Sequence, residues 1–287
     1  MTTVDVSERK ILWIASYPKS GNTWVRMFMN AYVTGFPLDI NSAFQYAMGD
    51  LNPGHMQLVS ARPSDKLTSI EQFCYRSAML MNIISTSPTC NIVLKTHNAK
   101  VHADGFVMVP PILSKGAVYI IRDPRDIAIS YAHHMGVTID ICIEKMNFMQ
   151  HIAEHAISKL IHVLTTWSTH VKSWTDTNKD IPTIIIKYEN MLESPEREFR
   201  KILKALGFSI IDEEKFKFAL EQTKFENLQQ LEKDNTFREK GSGEEFFRVG
   251  KSNQWREKLT KKQIKQIEKD HGEYMKRYGY KLAYSPC

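Results

Sequence analysis

Residues 16 to 24, Ser-Tyr-Pro-Lys-Ser-Gly-Asn-Thr-Trp, decide how this chain reads. They follow the apolar run Ile11-Leu12-Trp13-Ile14-Ala15 and lead into an amphipathic segment from Trp24 to Tyr32, which is the pattern of a strand, a tight loop and a helix start. Pro18 fixes the turn, and Gly21 lets the backbone approach a ligand closely. Amides at the start of the following helix point at whatever sits in the loop, where an anion is favoured. Lys19, Ser20 and Thr23 add one cation and two hydroxyls to the same small volume.

The segment resembles a nucleotide-binding P-loop incompletely. Ser16 stands where the first glycine of that pattern belongs, Asn22 stands where its lysine belongs, and the lysine lies at Lys19 instead. The bulk numbers set wider bounds. The 287 residues carry 38 Lys and Arg against 32 Asp and Glu, a formal charge of +6 with a pI near 9.0, which favours anionic partners in general. The basic residues are spread out, and the densest cluster, Lys258 to Lys265, falls in a patterned terminal helix whose charged face reads as solvated. Neither a nucleic-acid nor a membrane partner is expected. No run approaches the roughly 18 apolar residues of a membrane span, and the acidic N-terminus ahead of a short apolar run is not a secretory signal. Cys74, Cys90, Cys142 and Cys287 include no CxxC pair, so neither a disulfide framework nor a zinc site is indicated. A cytoplasmic location is the expectation.

Four short Ile- and Val-rich runs read as buried parallel strands: Ile11 to Ala15, Ile92 to Lys95, Ala117 to Ile121 and Thr183 to Lys187. Helical patterns cover Thr23 to Val33, Pro124 to His134, Phe148 to Trp174 and Ser194 to Leu206. The last is marked by Ser194 as N-cap, Pro195 at the first helical position and Gly207 past the end. Alternating strands and helices predict an α/β fold, one domain with a central parallel sheet covered by helices on both faces. In such sheets ligands bind at the carboxyl ends of the strands, which is where Lys19, Lys95 with His97, Arg122 and Tyr188 fall. The stretch Lys233 to Lys251 reads as a long mobile loop, and Gly49 to Pro88 and Met135 to Gln150 read as irregular, Met-rich walls of a pocket.

Three motifs occur in order: Lys19-Ser20-Gly21-Asn22-Thr23-Trp24 after the first strand, Arg122-Asp-Pro-Arg-Asp with Ser130 after the third, and Arg248-Val249-Gly250 with Trp255 near the end. Together they resemble the signatures of sulfotransferases that use 3'-phosphoadenosine-5'-phosphosulfate (PAPS), over about residues 11 to 255, with 256 to 287 a C-terminal helix and tail. The resemblance implies that the loop from Lys19 to Thr23 holds the 5'-phosphosulfate. It further implies that Arg122, Ser130, Arg248, Val249 and Gly250 form the 3'-phosphate site, that Trp24 and Phe225 sandwich the adenine, and that Thr223 and Tyr188 contact the nucleoside. A guanidinium suits the phosphate because its planar fork binds two oxygens and stays charged. His97, in a Lys-Thr-His segment similar to the family's, is the implied general base. Neutral imidazole suits proton removal near neutral pH. Lys19, with Lys95 as a second cation, would stabilise charge on the departing phosphate oxygen. No metal is expected.

The expected function is sulfuryl transfer to a hydroxyl or amine-type nitrogen of a small molecule, and the chain's start looks similar to bacterial enzymes that tailor natural products. A P-loop small-molecule kinase and a non-catalytic nucleotide or polyanion-binding module are the alternatives. Asn22 and Val249 depart from the family's usual Thr and Lys. Lys261 and Lys265 depart from the usual KxxxTVxxxE dimerisation segment, so a monomer, or a dimer formed differently, is expected. His133 and His134 are candidates for the acceptor pocket. Asp50, Glu71, Asp104, Asp140 and Glu144 are candidate partners of a cationic acceptor, although solvation is the simpler role for each.

Overall fold

The computed structural model describes residues 8–41, 46–154, 159–176, 180–235, 237 and 245–284. Along the chain, strand β1 (Lys10–Ser16) and helix α1 (Asn22–Thr34) are followed by a short strand β2 (Met48–Gly49), helices α2 (Pro53–Ser60) and α3 (Ser69–Thr86), and strand β3 (Asn91–Thr96). A small hairpin, β4 (His102–Ala103) with β5 (Phe106–Val107), leads to strand β6 (Ser114–Ile121), helix α4 (Pro124–Met135) and helix α5 (Ile139–Met146). A second hairpin, β7 (Ile152–Glu154) with β8 (Ile161–Val163), precedes α6 (Trp167–Thr175) and β9 (Thr183–Lys187). Among the described residues, six helices follow: α7 (Tyr188–Glu193), α8 (Pro195–Ala205), α9 (Glu213–Gln222), α10 (Phe225–Asp234), α11 (Trp255–Lys258) and α12 (Lys261–Arg277).

The main sheet is parallel throughout, in the order β2-β3-β1-β6-β9. Successive strand residues point to opposite faces, and the sequence loads both with apolar side chains. Trp13, Leu94, Tyr119 and Ile121 pack with residues of α3, α4, α6 and α12, while Ile14, Val93, Val118 and Ile186 pack with Val25 and Phe28 of α1, Ile202 of α8 and Phe216 of α9. Trp13 can sit in the core because its indole N–H donates to Ser114 Oγ at 2.8 Å. All four expected strands are present, the fourth with the expected bounds and the others extended by two or three residues, with the two-residue β2 added at the edge.

Three expectations need correction. The segment Phe148 to Trp174 is not one helix: it forms the β7–β8 hairpin and only then α6. Leu160 to Leu164 are buried on every side, and Val163 N–H donates to Asn98 Oδ1 while Val163 O accepts from Ala99, so the loop after β3 captures the backbone groups a helix would have used. The supposedly irregular stretches 49 to 88 and 135 to 150 contain α2, α3 and α5; Thr68 and Glu71 form a capping box at the start of α3, a signal the reading passed over. The presumed loop 233 to 251 begins inside α10, and 236 and 238–244, with Gly241 and Gly243, lie outside the described residues. At α8, Ser194 holds the N-cap position but its side chain makes no capping bond.

Asp50 is fully buried, which removes it from the candidate acceptor partners. It pairs with buried Arg76 of α3, and its Oδ2 also accepts from Thr96 Oγ1 at 2.7 Å and Asn98 Nδ2 at 2.9 Å. This one carboxylate joins β2, α3 and the end of β3. Removing one member of a buried ion pair strands the other charge, so Asp50→Ala is expected to cost about 3–5 kcal/mol of unfolding free energy. Urea denaturation of the two proteins measures it.

Candidate functional site

Four strands deliver their carboxyl ends to one cavity of about 790 Å³. Of the candidates named above, Lys19, Gly21, Asn22, Thr23, Trp24, Lys95, His97, Arg122, Ser130, Tyr188, Thr223, Phe225, Arg248, Val249 and Gly250 all line it; Ser20 does not. Ser20 is buried, and its hydroxyl has no partner.

The loop after β1 turns through two left-handed residues, Lys19 (φ 65°) and Gly21 (φ 104°). A Cβ at Gly21 would lie 2.7 Å from the Tyr188 ring, so conformation and space both require glycine there. Gly21 caps α1 without a side-chain bond, no acidic residue lies in the first turn, and that turn opens onto the cavity, an arrangement that favours a bound anion. Asn22 works in the opposite direction. It is buried, and its Nδ2 donates to Ile14 O at 3.0 Å and to Ser16 Oγ at 3.3 Å, so its side chain braces the strand and the cradle receives its backbone. Lys19 Nζ rests 3.6 Å from the centre of the Phe246 ring.

Arg122, next after β6, donates through Nη1 to Lys19 O at 2.8 Å and lies 4.3 Å over the Tyr188 ring. It is buried, yet its Nε has no partner, an orphaned donor in the wall of a cavity. The rest of that motif is structural. Asp123 and Glu268 hold Arg125 from two sides, Arg125 lies 3.7 Å over Trp255, and Asp126 accepts from the amides of Asn253 at 2.7 Å and Trp255 at 3.0 Å. These bonds fold the segment after Arg248 back onto α4. Gly250 (φ 61°) packs so closely on Phe225 that a Cβ would lie 2.3 Å from that ring. Trp24 donates its indole N–H to Thr223 O at 2.9 Å, while the Thr223 hydroxyl donates to Ala219 O at 2.7 Å and so closes α9. Above them, Glu232 accepts from the amides of Phe246 at 2.6 Å and Phe247 at 2.7 Å.

The cavity is also lined by His97, Tyr131, His134, Lys145, His151, Ile152, Glu154 and His162. His97 Nδ1 lies 2.8 Å from Ser16 O; a carbonyl only accepts, so Nδ1 carries the proton and Nε2 is the bare nitrogen of a ring that lines the cavity. Burial, helped by the charge of Lys95 and by His162, holds the His97 pKa well below the usual imidazole value. Its backbone is fixed from behind, because His170 Nε2 donates to His97 O at 3.0 Å and Tyr119 donates to His170 Nδ1 at 2.9 Å. His134 lines the cavity as expected; His133 instead lines a small adjoining recess and donates to Glu245 O at 3.2 Å. None of Asp50, Glu71, Asp104, Asp140 and Glu144 lines the cavity, whose carboxylate is Glu154, ion-paired with Lys159 at 2.9 Å. No motif flagged His151, His162 or Lys145; they enter through the hairpin and α5 that the reading missed.

Among known proteins, a sulfotransferase-domain family profile matches residues 9–279. Sulfotransferase 1A1 of Canis lupus familiaris is 25% identical over 288 residues, covering 93% of this chain and 84% of its own length. Flavonol 4'-sulfotransferase of Flaveria chlorifolia is 24% identical, covering 90% and 77%. By fold, a retinol dehydratase crystallised with androsterone and the inactive cofactor PAP superposes with a TM-score of 0.61 at 20% identity, covering 96% of this chain and 82% of that one. Mouse SULT7A1 complexed with PAP gives 0.59 at 20% identity, covering 93% and 84%. The sulfotransferase domain of the Synechococcus PCC 7002 olefin synthase gives 0.50 at 15% identity, covering 96% of each chain.

Two outcomes follow from the imidazoles. NMR titration of His97 is expected to show a proton on Nδ1 at neutral pH and protonation of Nε2 only well below pH 6.5. His151, His170 and His271 are each pushed down to about 4, chiefly by burial. Between about 4 and about 6.5 the unfolded chain therefore binds more protons than the folded one, so stability is expected to fall as pH drops through that window, read as a falling urea midpoint.

Proposed function

The chain belongs to the sulfotransferase family, and from that membership we propose that residues 1–287 act as one unit that transfers a sulfuryl group from PAPS to a small-molecule acceptor. The observation that carries the nucleotide assignment is the orphaned Nε of buried Arg122, set beside an uncapped helix start and two glycines that admit no Cβ. A buried guanidinium with an unused donor fits a phosphate oxygen, and the glycines fit close backbone approach. Arg122, Ser130, Arg248 and the backbone around Val249 and Gly250 hold the 3'-phosphate in this reading. The loop Lys19–Thr23 takes the 5' end, Trp24 and Phe225 take the base, and Tyr188 and Thr223 border the nucleoside. Thr223 does so without its hydroxyl, which Ala219 already occupies.

His97 is the general base in this reading. The acceptor's proton passes to His97 Nε2, the acceptor atom bonds to sulfur, and the bond from sulfur to the 5'-phosphate oxygen breaks with its electron pair staying on that oxygen. The products are the sulfated acceptor and adenosine 3',5'-bisphosphate. Lys19 and Lys95 stabilise the charge that grows on the departing oxygen, so Lys19 exchanges its contact with Phe246 for that oxygen when the donor binds. The acceptor is a small molecule, in our reading a secondary metabolite. No helix among the described residues is long and apolar enough to cross a membrane.

Calorimetry with adenosine 3',5'-bisphosphate tests the donor site. Arg122→Ala is expected to weaken binding at least 10-fold, the scale of one charge-assisted hydrogen bond. His97→Ala is expected to keep that binding and lose transfer by about 10²- to 10⁴-fold. Activity that needs Mg²⁺ and ATP, and that EDTA abolishes, would favour the kinase instead; binding and function both indifferent to His97→Ala would favour a non-catalytic module.

A further inference from the structure

His97 lies just past the end of β3. The ladders of that strand stop at the pairs Ala15 with Thr96 and Gly49 with Lys95, so the carbonyls of His97 and Asn98 lie beyond the sheet. Helix α6 takes both. His170 Nε2 donates to His97 O at 3.0 Å, and Trp174 Nε1 donates to Asn98 O at 3.0 Å. The two donors stand four positions apart, one turn along a single helix face. A carbonyl only accepts, so His170 carries its proton on Nε2, and its bare Nδ1 accepts from the Tyr119 hydroxyl at 2.9 Å. Burial pushes the His170 pKa down to about 4, which keeps the ring neutral and this arrangement of donors fixed.

Both ends of His97 are thereby tied to the end of β1. Ser16 O holds its imidazole through Nδ1 at 2.8 Å. Tyr119, opposite Ala15 in the ladder between β1 and β6, holds its backbone through His170. The Tyr17 ring, next in the chain, crosses the His170 ring at 83° with centroids 5.3 Å apart. The same strand end carries the loop Lys19–Thr23. His170 itself is fully buried and is not among the residues that line the cavity.

Building on the sulfotransferase reading, we infer that His170 is a positioning residue for the reaction: its bond to His97 O registers the base against the loop that takes the phosphosulfate. It touches neither donor nor acceptor, so its whole effect on transfer passes through His97. A misplacement of about 1 Å is enough to cost on the order of 100-fold in rate, which is why one backbone bond can matter. The bond from Tyr119 orients the His170 ring; the bond to His97 O does the positioning.

Ring-nitrogen NMR on the free protein tests the premise: His170 is expected as the Nε2–H tautomer at neutral pH, and a proton on Nδ1 alone overturns the inference. Two substitutions separate the two bonds. His170→Asn places an amide oxygen near Nδ1 and keeps the bond from Tyr119, but falls short of His97 O; His170→Gln places an amide NH₂ near Nε2 and keeps the donor to His97 O. Exchange of the His97 Nδ1 proton with water needs no acceptor. It is expected to be about 10-fold faster in His170→Asn than in the wild type and to slow again in His170→Gln; equal exchange in all three overturns the inference. With PAPS and 2-naphthol, His170→Asn is expected to lower kcat about 10- to 100-fold, with KM and affinity for adenosine 3',5'-bisphosphate within about 2-fold of wild type. His170→Gln is expected to recover most of kcat. In a His97→Ala background His170→Asn is expected to change kcat no further, because a residue that acts through another adds nothing once that other is gone. A merely structural His170 gives equal kcat losses in the Asn and Gln proteins and a further loss in the His97→Ala background. Either result overturns the inference and leaves the sulfotransferase reading standing. Failure of the wild type to bind adenosine 3',5'-bisphosphate overturns that reading and leaves the His170 tautomer as NMR finds it.

Discussion

Two backbone amides, those of Asn253 and Trp255, end on the carboxylate of Asp126 in the first turn of α4. The cavity depends on this anchorage. It holds the segment that carries Arg248 and Gly250 against residues more than a hundred positions earlier in the chain, together with the bond from Arg122 to Lys251 O. Burial raises the Asp126 carboxyl pKa while Arg122 and the two amides pull it down, so the group is a compromise between desolvation and its partners. Beside it, Arg125 bonds Asp123 and Glu268 and stacks on Trp255, which joins α12 to the same corner. The Arg-Asp-Pro-Arg-Asp run thus divides its labour: Arg122 faces the cavity, and its neighbours fasten the parts that surround it.

Much of this was legible in the chain. Parallel strands that are buried on both faces must be apolar almost continuously, so runs such as Ile11 to Ala15 and Ala117 to Ile121 identified themselves. The loop at Gly21 was legible for a related reason, since a left-handed turn and close contact with Tyr188 tolerate only glycine. The wall that holds His151 and His162 was not. The hairpin from Ile152 to Val163 carries no alternating pattern, because Leu160 to Leu164 are buried on every side, and its fold rests on long-range bonds to Asn98 and Ala99. Pairings of that kind leave no periodic trace. Nor could sequence reveal that Asn22, standing inside the loop motif, turns its side chain back to brace β1.

The polar interior between β2 and β8 shows why tautomers belong in any description of this site. Asp50, Thr96, Asn98 and His162 form one chain of donors and acceptors, and Ser16, His97, His170 and Tyr119 form another. In the second, the carbonyls of Ser16 and His97 fix which nitrogen of His97 and of His170 carries the proton.

The second hairpin has an evolutionary reading. Lys19, Arg122 and Gly250 sit on elements locked into the sheet or stapled by buried ion pairs, so a change there disturbs the whole molecule. Ile152, Ala153, Glu154 and His162 belong to a two-stranded ribbon that is separate from the main sheet. Lengthening a flexible loop between paired strands costs little in general, about 0.6 kcal/mol for each doubling. Insertion and drift can therefore reshape one bank of the cavity with little disturbance to the other.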